Sequence, residues 1–299
     1  MKLNPLAPKD KAVFKKYLNF SEHELSAYSF DNIYVWKDLF AISWVVFENA
    51  LCVFFKDKFG FFLYLPPLTE KFSDGLAEEV FEILDRLNSK SGLTRIENVE
   101  ARSLEFYRGL GYDCVEKFPE YLYRRNDLVD LRGNSFKSKR SEFNYFIKNH
   151  SFKYLPFKSI YQSQCLQLYN RWMKNRIEQN RDNIYQGLLQ DSRICLKTIL
   201  SAYKYLNIIG RVVEVEGRVK AFTFGFVLNK DTFCVSYEIT DLSVKGLSQF
   251  IFREFVAEMK EYQYINIMDD SGLENLKRVK LSYRPVKLVP SHIIRRSHD

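Results

Sequence analysis

Cysteine, glycine and proline are scarce in this sequence of 299 residues, with five, 12 and eight copies respectively. No two cysteines stand in a C-x-x-C pair, so the sequence indicates neither a zinc site nor a disulfide framework. So little glycine and proline argues against a collagen-like or loop-dominated chain. The scattered cysteines favour a reducing compartment such as the cytoplasm.

Long apolar runs and paired histidines are also missing. The longest apolar run, near residues 39–47, is far short of the roughly 18 apolar residues that span a bilayer, so we expect no transmembrane segment. The four histidines are isolated in the sequence, and without an HxH or HExxH spacing they do not indicate a catalytic metal. The lack of a GxSxG elbow and of a Walker loop gives no support to a serine hydrolase or a P-loop nucleotidase.

The sequence is instead rich in apolar and basic residues. Hydrophobic residues make up 46% and aromatic residues 16%, which indicates a packed globular protein, and the length favours two domains. The net charge of +8 favours polyanions such as RNA or nucleotide phosphates, but it also fits a solvated surface. Basic residues cluster between positions 124 and 148, a segment that includes most of a predicted helix at about 138–149 and that contacts either RNA or only water.

The order of predicted elements repeats once along the chain. In the first half, β-branched and aromatic runs at 42–47, 50–56 and 60–65 predict antiparallel strands, and an apolar stripe from 76 to 87 predicts a helix. In the second half, runs at 208–215, 219–228 and 232–239 predict strands, with a hairpin turn at Glu216-Gly217 and a helix afterwards. We therefore predict an α+β (mixed α/β) fold of two tandem lobes, residues 1–125 and 126–299, each a mostly antiparallel sheet flanked by helices.

Several segments resemble known acyl-transferring proteins. The segment SLEFYRGLGY at 103–112 resembles the penultimate helix and turn of the GNAT superfamily of acyltransferases. YSFDNIYVW at 28–36, the segment 120–140, and NIMDD to KLSYRP across 266–285 resemble the soluble relatives of the C-terminal half of phosphatidylglycerol lysyltransferase. That group has a tandem GNAT arrangement, which is also seen in the Fem-type aminoacyl transferases.

The resemblance implies a transferase that moves an acyl or aminoacyl group from acyl-CoA or aminoacyl-tRNA to an amine or hydroxyl of a small-molecule or peptide acceptor. It implies no tightly bound cofactor. The first lobe lacks the family's phosphate-binding loop at 66–71, so we expect that lobe to be structural and the second lobe to be the active one. The alternative is a non-catalytic module of the same fold that binds a ligand or protein in the cleft between the lobes.

Three residues are candidates for proton transfer. Glu238 stands near the end of a predicted strand whose alternation puts Val235, Tyr237 and Ile239 on one face and Ser236 and Glu238 on the other, and it suits a general base. Asp270 offers the same chemistry, and Tyr283 is a candidate proton donor. Each also has a structural reading, as a surface carboxylate, a helix cap and a core aromatic respectively.

Candidate binding residues surround these positions in the sequence. Lys245 and Gly246 precede a helix whose N-terminus would attract a phosphate, although a single glycine is as typical of a plain turn. The remaining candidates for donor or substrate binding are Lys139, Arg140, Asp241, Gln249, Asn266, Asp269, Lys280 and Arg284. Acidic members of this set suit a substrate ammonium group, and basic members suit phosphates.

Overall fold

The computed structural model describes residues 2–89 and 94–297, and the chain divides into two compact units. The first unit comprises residues 1–120 and 289–299, and the second comprises residues 121–288. Each unit contains a seven-stranded mixed sheet flanked by helices.

The first sheet has the strand order β1-β2-β3-β4-β5-β14-β6. Its strands are β1 Asn4–Pro5, β2 Ala41–Phe47, β3 Ala50–Asp57, β4 Gly60–Leu63, β5 Arg95–Glu100, β6 Tyr112–Glu116 and β14 Ser291–Arg296. Its helices are α1 Lys11–Leu18, α2 Phe30–Val35, α3 Asp74–Leu87 and α4 Leu104–Gly109.

Helix α3 begins and packs as its apolar stripe predicts. Ser73 is its N-cap, and its hydroxyl accepts a hydrogen bond from the backbone N–H of Leu76 at 3.3 Å. Val80 and Leu84, which lie one helical turn apart, are fully buried in the core of the first unit. The apolar face of α3 therefore covers one side of the first sheet.

The last strand brings the end of the chain into the first sheet. β14 lies antiparallel between β5 and β6, with Ser291 opposite Glu100 and Ile293 opposite Val115. Ile294 is fully buried in the same core as α3. The first sheet is thus completed by residues that lie almost 200 positions after β5 in the sequence.

The second sheet has the strand order β13-β7-β12-β11-β10-β9-β8. Its strands are β7 Glu120–Arg124, β8 Phe152–Pro156, β9 Ile208–Val215, β10 Arg218–Val227, β11 Thr232–Thr240, β12 Tyr264–Asn266 and β13 Lys287–Val289. Its helices are α5 Arg125–Asp130, α6 Lys137–Asn149, α7 Gln162–Gln179, α8 Asn183–Ala202, α9 Leu247–Glu258 and α10 Glu274–Leu281.

The predicted hairpin between β9 and β10 is confirmed. Val215 pairs with Arg218 across the turn, and the two turn residues, Glu216 and Gly217, have φ angles of 53° and 72°. Positive φ at both central residues matches the right-handed twist of the flanking strands.

Among residues 2–89 and 94–297, every helix is too short or too polar to span a bilayer.

Candidate active site

The two central strands of the second sheet part from each other. β11 and β12 are parallel and pair over three positions, the last being Cys234 with Asn266. β12 ends at Asn266, whereas β11 continues to Thr240. Open sheets bind ligands at the carboxyl ends of parallel strands, where neighbouring chains diverge. The last residues of β11 are therefore the first place to look for a site.

A β-bulge interrupts β11 at Ser236. The pairing of β11 with β10 passes from Val235 opposite Gly225 to Tyr237 opposite Phe224, which leaves Ser236 as the extra residue. Gly225 allows the close approach of the strands here, because a Cβ on it would lie 2.5 Å from the carbonyl oxygen of Cys234. Bulges of this kind often re-aim a side chain beside an active site.

The bulge turns Glu238 toward α9. Val235 belongs to the core cluster formed with α9, and beyond the bulge Tyr237 instead donates a hydrogen bond to the carbonyl of Ser192 on α8, at 2.6 Å. Glu238 then accepts a hydrogen bond from the Ser248 hydroxyl at the start of α9, at 2.9 Å. The expectation that Val235 and Tyr237 share one face is wrong, because the extra residue reverses the alternation between them.

The surroundings of Glu238 make its charge unfavourable. Burial raises the pKa of Glu238 to about 7, while the hydrogen bond from Ser248 and the positive charge of Lys139 act in the opposite direction. The side chain remains partly exposed to solvent. A carboxyl group that titrates near neutral pH and remains accessible meets the requirements of a general base.

Lys139 and Tyr283 lie beside this carboxylate. The Lys139 ammonium lies 4.2 Å from the ring centre of Tyr283, which packs edge-on against Phe252 of α9 with centroids 5.0 Å apart. Burial lowers the pKa of Lys139 despite the charge of Glu238, and burial together with that charge raises the pKa of Tyr283. The structure thus brings together three of the predicted site residues, Glu238, Lys139 and Tyr283.

The turn before α9 is built for close packing of helices. Gly246 is the N-cap of α9 with φ 79°, and a Cβ on it would lie 2.1 Å from the carbonyl oxygen of Glu142 in α6. Glycine is therefore required by the contact between α6 and α9. Lys245 is exposed and its ammonium lies 4.8 Å from the ring centre of Tyr145. Gln249 lies in the first turn of α9 and is partly exposed.

Asp241 closes the turn that follows β11. It accepts hydrogen bonds from Lys220 at 2.7 Å and from the Ser243 hydroxyl at 2.6 Å. Burial alone would raise the pKa of Asp241, but these hydrogen bonds outweigh it and lower the pKa. This carboxylate is held in its charged form, which suits a structural role better than proton abstraction at neutral pH.

The candidates after β12 form a hydrogen-bonded group of their own. Asp270 is only 3% exposed and accepts hydrogen bonds from the Tyr121 hydroxyl and from the backbone N–H of Gly272. The ammonium of Lys280, itself buried, donates to three backbone carbonyls. These carbonyls belong to Ile267, Met268 and Asp269. The group fixes the shape of the loop that leaves β12.

The remaining predicted residues lie around these two groups. The Asn266 side chain is fully buried and accepts a hydrogen bond from the backbone N–H of Met268 at 2.7 Å. Asp269 accepts one from the backbone N–H of Ser271 at 2.7 Å. Arg140 donates to the carbonyls of residues 131 and 133, and Arg284 is exposed directly after Tyr283.

Ser248 is the site residue that the sequence analysis missed. It contacts Glu238 through the first turn of α9, ten residues further along the chain. A hydroxyl residue two positions after a helix-capping glycine was the available signal, but it acquires meaning only once α9 is known to pack on β11.

Within residues 2–89 and 94–297, no cluster of three His, Cys, Asp or Glu side chains has metal-binding geometry.

Comparison with known proteins identifies the fold and the family. The family model for phosphatidylglycerol lysyltransferase, C-terminal, matches residues 18–295. Comparison with curated proteins gives no significant match. A conserved protein of unknown function from Bacteroides thetaiotaomicron VPI-5482 superposes with a TM-score of 0.88 at 24% identity, over 99% of this chain and 100% of the other.

Two further solved structures share the architecture. L-PGS from Bacillus licheniformis superposes with a TM-score of 0.67 at 15% identity, over 99% of this chain and 94% of the other. A tandem GNAT protein from the clavulanic acid biosynthesis pathway superposes with a TM-score of 0.56 at 9% identity, over 100% of this chain and 99% of the other. The predicted fold of two tandem GNAT-like lobes is thereby confirmed.

Proposed function

This chain belongs to the family of phosphatidylglycerol lysyltransferase C-terminal domains, and on that basis we propose that it transfers an acyl or aminoacyl group from a carrier to an amine or hydroxyl acceptor. The observation that carries the proposal is Glu238, a carboxyl group with a pKa of about 7 at the open end of a central strand. Families of GNAT-like fold comprise acyl and aminoacyl transferases. The proposal also covers the identity of the donor and of the acceptor that this chain uses.

The reaction requires removal of one proton and departure of one leaving group. The nitrogen or oxygen of the acceptor attacks the carbonyl carbon of the carrier's ester or thioester, and the Glu238 carboxylate takes the proton that the attacking atom loses. The C–O or C–S bond then breaks, and the departing oxygen or sulfur takes up a proton. Catalysis comes mainly from positioning both reactants, with the base adding about 10²–10⁴-fold.

Lys139 and Tyr283 supply the other two roles. Tyr283 carries its proton at neutral pH, as burial and the Glu238 charge raise its pKa further above neutrality, and in the proposed reaction it gives this proton to the leaving group as the carrier bond breaks. The Lys139 ammonium, which lies over the Tyr283 ring, stabilises negative charge on the attacked carbonyl oxygen or on a carrier phosphate. After each turnover the Glu238 proton returns to solvent, and Tyr283 takes up a proton from solvent to replace the one it gave.

The carrier is acyl-CoA or aminoacyl-tRNA, since both present an activated acyl group next to phosphates. Exposed Lys245 and partly exposed Gln249 at the start of α9 are the proposed contacts for the donor. The two carriers differ in their number of phosphates, so binding of tRNA should weaken much more steeply with salt than binding of coenzyme A.

A donor screen with a matched variant pair tests the proposal. Melting of the purified protein is followed with acetyl-CoA, longer acyl-CoA species and charged tRNA, because a ligand at 100 times its Kd adds about 2.7 kcal/mol. Transfer to amine acceptors is then measured for the wild type, for Glu238→Gln, and for Glu178→Gln as a control. Glu178 is an exposed carboxylate at the end of α7.

We expect one donor to raise the melting temperature, and we expect Glu238→Gln alone to lose turnover while keeping donor binding. Melting that no donor changes would contradict the proposal. So would equal turnover in the two variants, because the base would then lie elsewhere.

A further inference from the structure

A serine, a histidine and a glutamate are connected by hydrogen bonds in the first unit, outside the site described above. The Ser21 hydroxyl lies 3.2 Å from Nε2 of His23, and Nδ1 of His23 lies 3.1 Å from Oε2 of Glu100. The guanidinium of Arg102 donates to the same Glu100 oxygen at 2.5 Å and to the Ser21 oxygen at 3.3 Å. None of these residues takes part in the proposed transfer reaction.

One assignment of protons satisfies these contacts together. With the proton of His23 on Nδ1, the ring donates to the Glu100 carboxylate, and Nε2 accepts from the Ser21 hydroxyl. Arg102 Nη2 also lies 3.1 Å from Nδ1, as expected of two donors that share one carboxylate oxygen. This is the arrangement of a catalytic triad, in which a base activates a nucleophile and a carboxylate orients the base. Such triads are recognised by their geometry and not by the order of the residues in the sequence.

The base is held rigidly and its carboxylate partner stays ionised. The His23 ring stacks on Tyr28 with centroids 3.9 Å apart, and the Tyr28 hydroxyl donates to the carbonyl of Asn98 at 2.9 Å. Burial would raise the pKa of Glu100, but His23, the backbone N–H of Glu24 and Arg102 together lower it. An ionised carboxylate favours the imidazole tautomer that has its proton on Nδ1, facing Glu100.

The nucleophile is accessible although the rest of the group is buried. Ser21 is exposed, whereas His23 and Glu100 are each about 10% exposed at the side chain. Arg102 is 52% exposed at the side chain and borders the Ser21 oxygen, where it can stabilise a developing oxyanion. The segment that carries Ser21 is attached to β5 without the Ser21 hydroxyl, because the backbone N–H of Glu24 bonds to Glu100 and the Tyr28 hydroxyl bonds to the carbonyl of Asn98.

We propose that Ser21, His23 and Glu100 form a second, nucleophilic site that takes an acyl group from small carboxylic esters. The Ser21 oxygen attacks the ester carbonyl carbon and gives its proton to His23 Nε2. The C–O bond of the ester breaks, and the leaving alcohol takes that proton. Water then hydrolyses the acyl-Ser21 ester, its proton passing through Nε2 back to the Ser21 oxygen.

The test uses a fluorophosphonate as a probe for an activated serine, with peptide mapping of the full-length protein. Ser243 and Ser271 serve as internal controls, because they are exposed and their hydroxyls bond to an aspartate instead of an imidazole. General-base assistance predicts modification of Ser21 about a hundredfold faster than of the two control serines. Release of p-nitrophenol from p-nitrophenyl acetate is measured in parallel.

Variants separate reactivity from a merely structural role. Ser21→Ala should abolish the phosphonylated peptide and the p-nitrophenol burst, and His23→Gln should slow both to the level of the control serines while circular dichroism stays unchanged. If Ser21 in the wild type reacts no faster than Ser243 and Ser271, the proposal is refuted whether or not the variants fold. Wild-type reactivity in a folded His23→Gln protein would also refute it.

Discussion

Replacing Glu238 by glutamine should stabilise the second unit, and only above acidic pH. Its pKa in the folded protein is about 7 against an ordinary value of 4.5, so the folded state binds its proton more tightly than the unfolded state does. The wild type therefore loses stability as pH rises from about 4.5 through 7, whereas glutamine does not titrate. The gap between the two pKa values corresponds to about 3 kcal/mol at pH 8.

The assay must report on the second unit alone, because two units need not unfold together. Amide hydrogen exchange in β11 and α9 gives the free energy of opening for that unit, and it is compared between wild type and Glu238→Gln from pH 4.5 to pH 8. The other titrating groups cancel in this difference. We expect the advantage of the glutamine variant to grow by about 3 kcal/mol over this range. A difference that does not change with pH would refute the reasoning, and Glu178→Gln, the exposed control on α7, should show no such growth.

Two further predictions concern residues that support the site. Ser248→Ala removes a hydrogen bond to the charged form of Glu238, so the pKa of Glu238 should rise by about one unit above that of the wild type. The pKa is measured by ¹³C NMR of the Glu238 carboxyl group. An unchanged pKa would contradict the role given to Ser248. Lys280→Met leaves the three carbonyls that its ammonium serves without that donor, which should destabilise the second unit by about 3 kcal/mol, measured by amide hydrogen exchange in β11 and α9. Lys277→Met, an exposed position on the same helix, should change stability by less than about 0.5 kcal/mol, and an equal loss in both variants would contradict the interpretation.

Local signals in the sequence predicted local structure well. The stripe of α3 and the hairpin at Glu216-Gly217 each depend on neighbouring residues alone, and both are confirmed. The bulge at Ser236 was not predictable, because it arises from the pairing of β11 with β10. The return of β14 to the first sheet has no local signal either, since alternation identifies a strand but not the strands that it pairs with.

The same distinction applies to the candidate site. Glu238 was identifiable because a carboxylate near the end of a predicted central strand is a local pattern. Ser248 was not, since its contact with Glu238 depends on how α9 packs against β11. Asp270 was predicted as a catalytic residue and Lys280 as a binding residue. In the structure, Asp270 accepts a hydrogen bond from the Tyr121 hydroxyl, and Lys280 donates to carbonyls of the loop after β12.

The carboxylates of the second unit differ in whether their surroundings favour the charged form, and this difference supports Glu238 as the proposed base. Asp241 has hydrogen bonds from Lys220 and Ser243 that lower its pKa, so its negative charge is stabilised. Burial makes the charge of Glu238 unfavourable on balance, despite the hydrogen bond from Ser248 and the charge of Lys139, so an uncharged residue at this position would be more stable above about pH 4.5. Strongly perturbed carboxyl groups at the open end of a sheet are typical of functional sites, where stability and activity conflict. The free energy that glutamine is expected to recover at position 238 is therefore a measure of the stability that the proposed base costs the second unit.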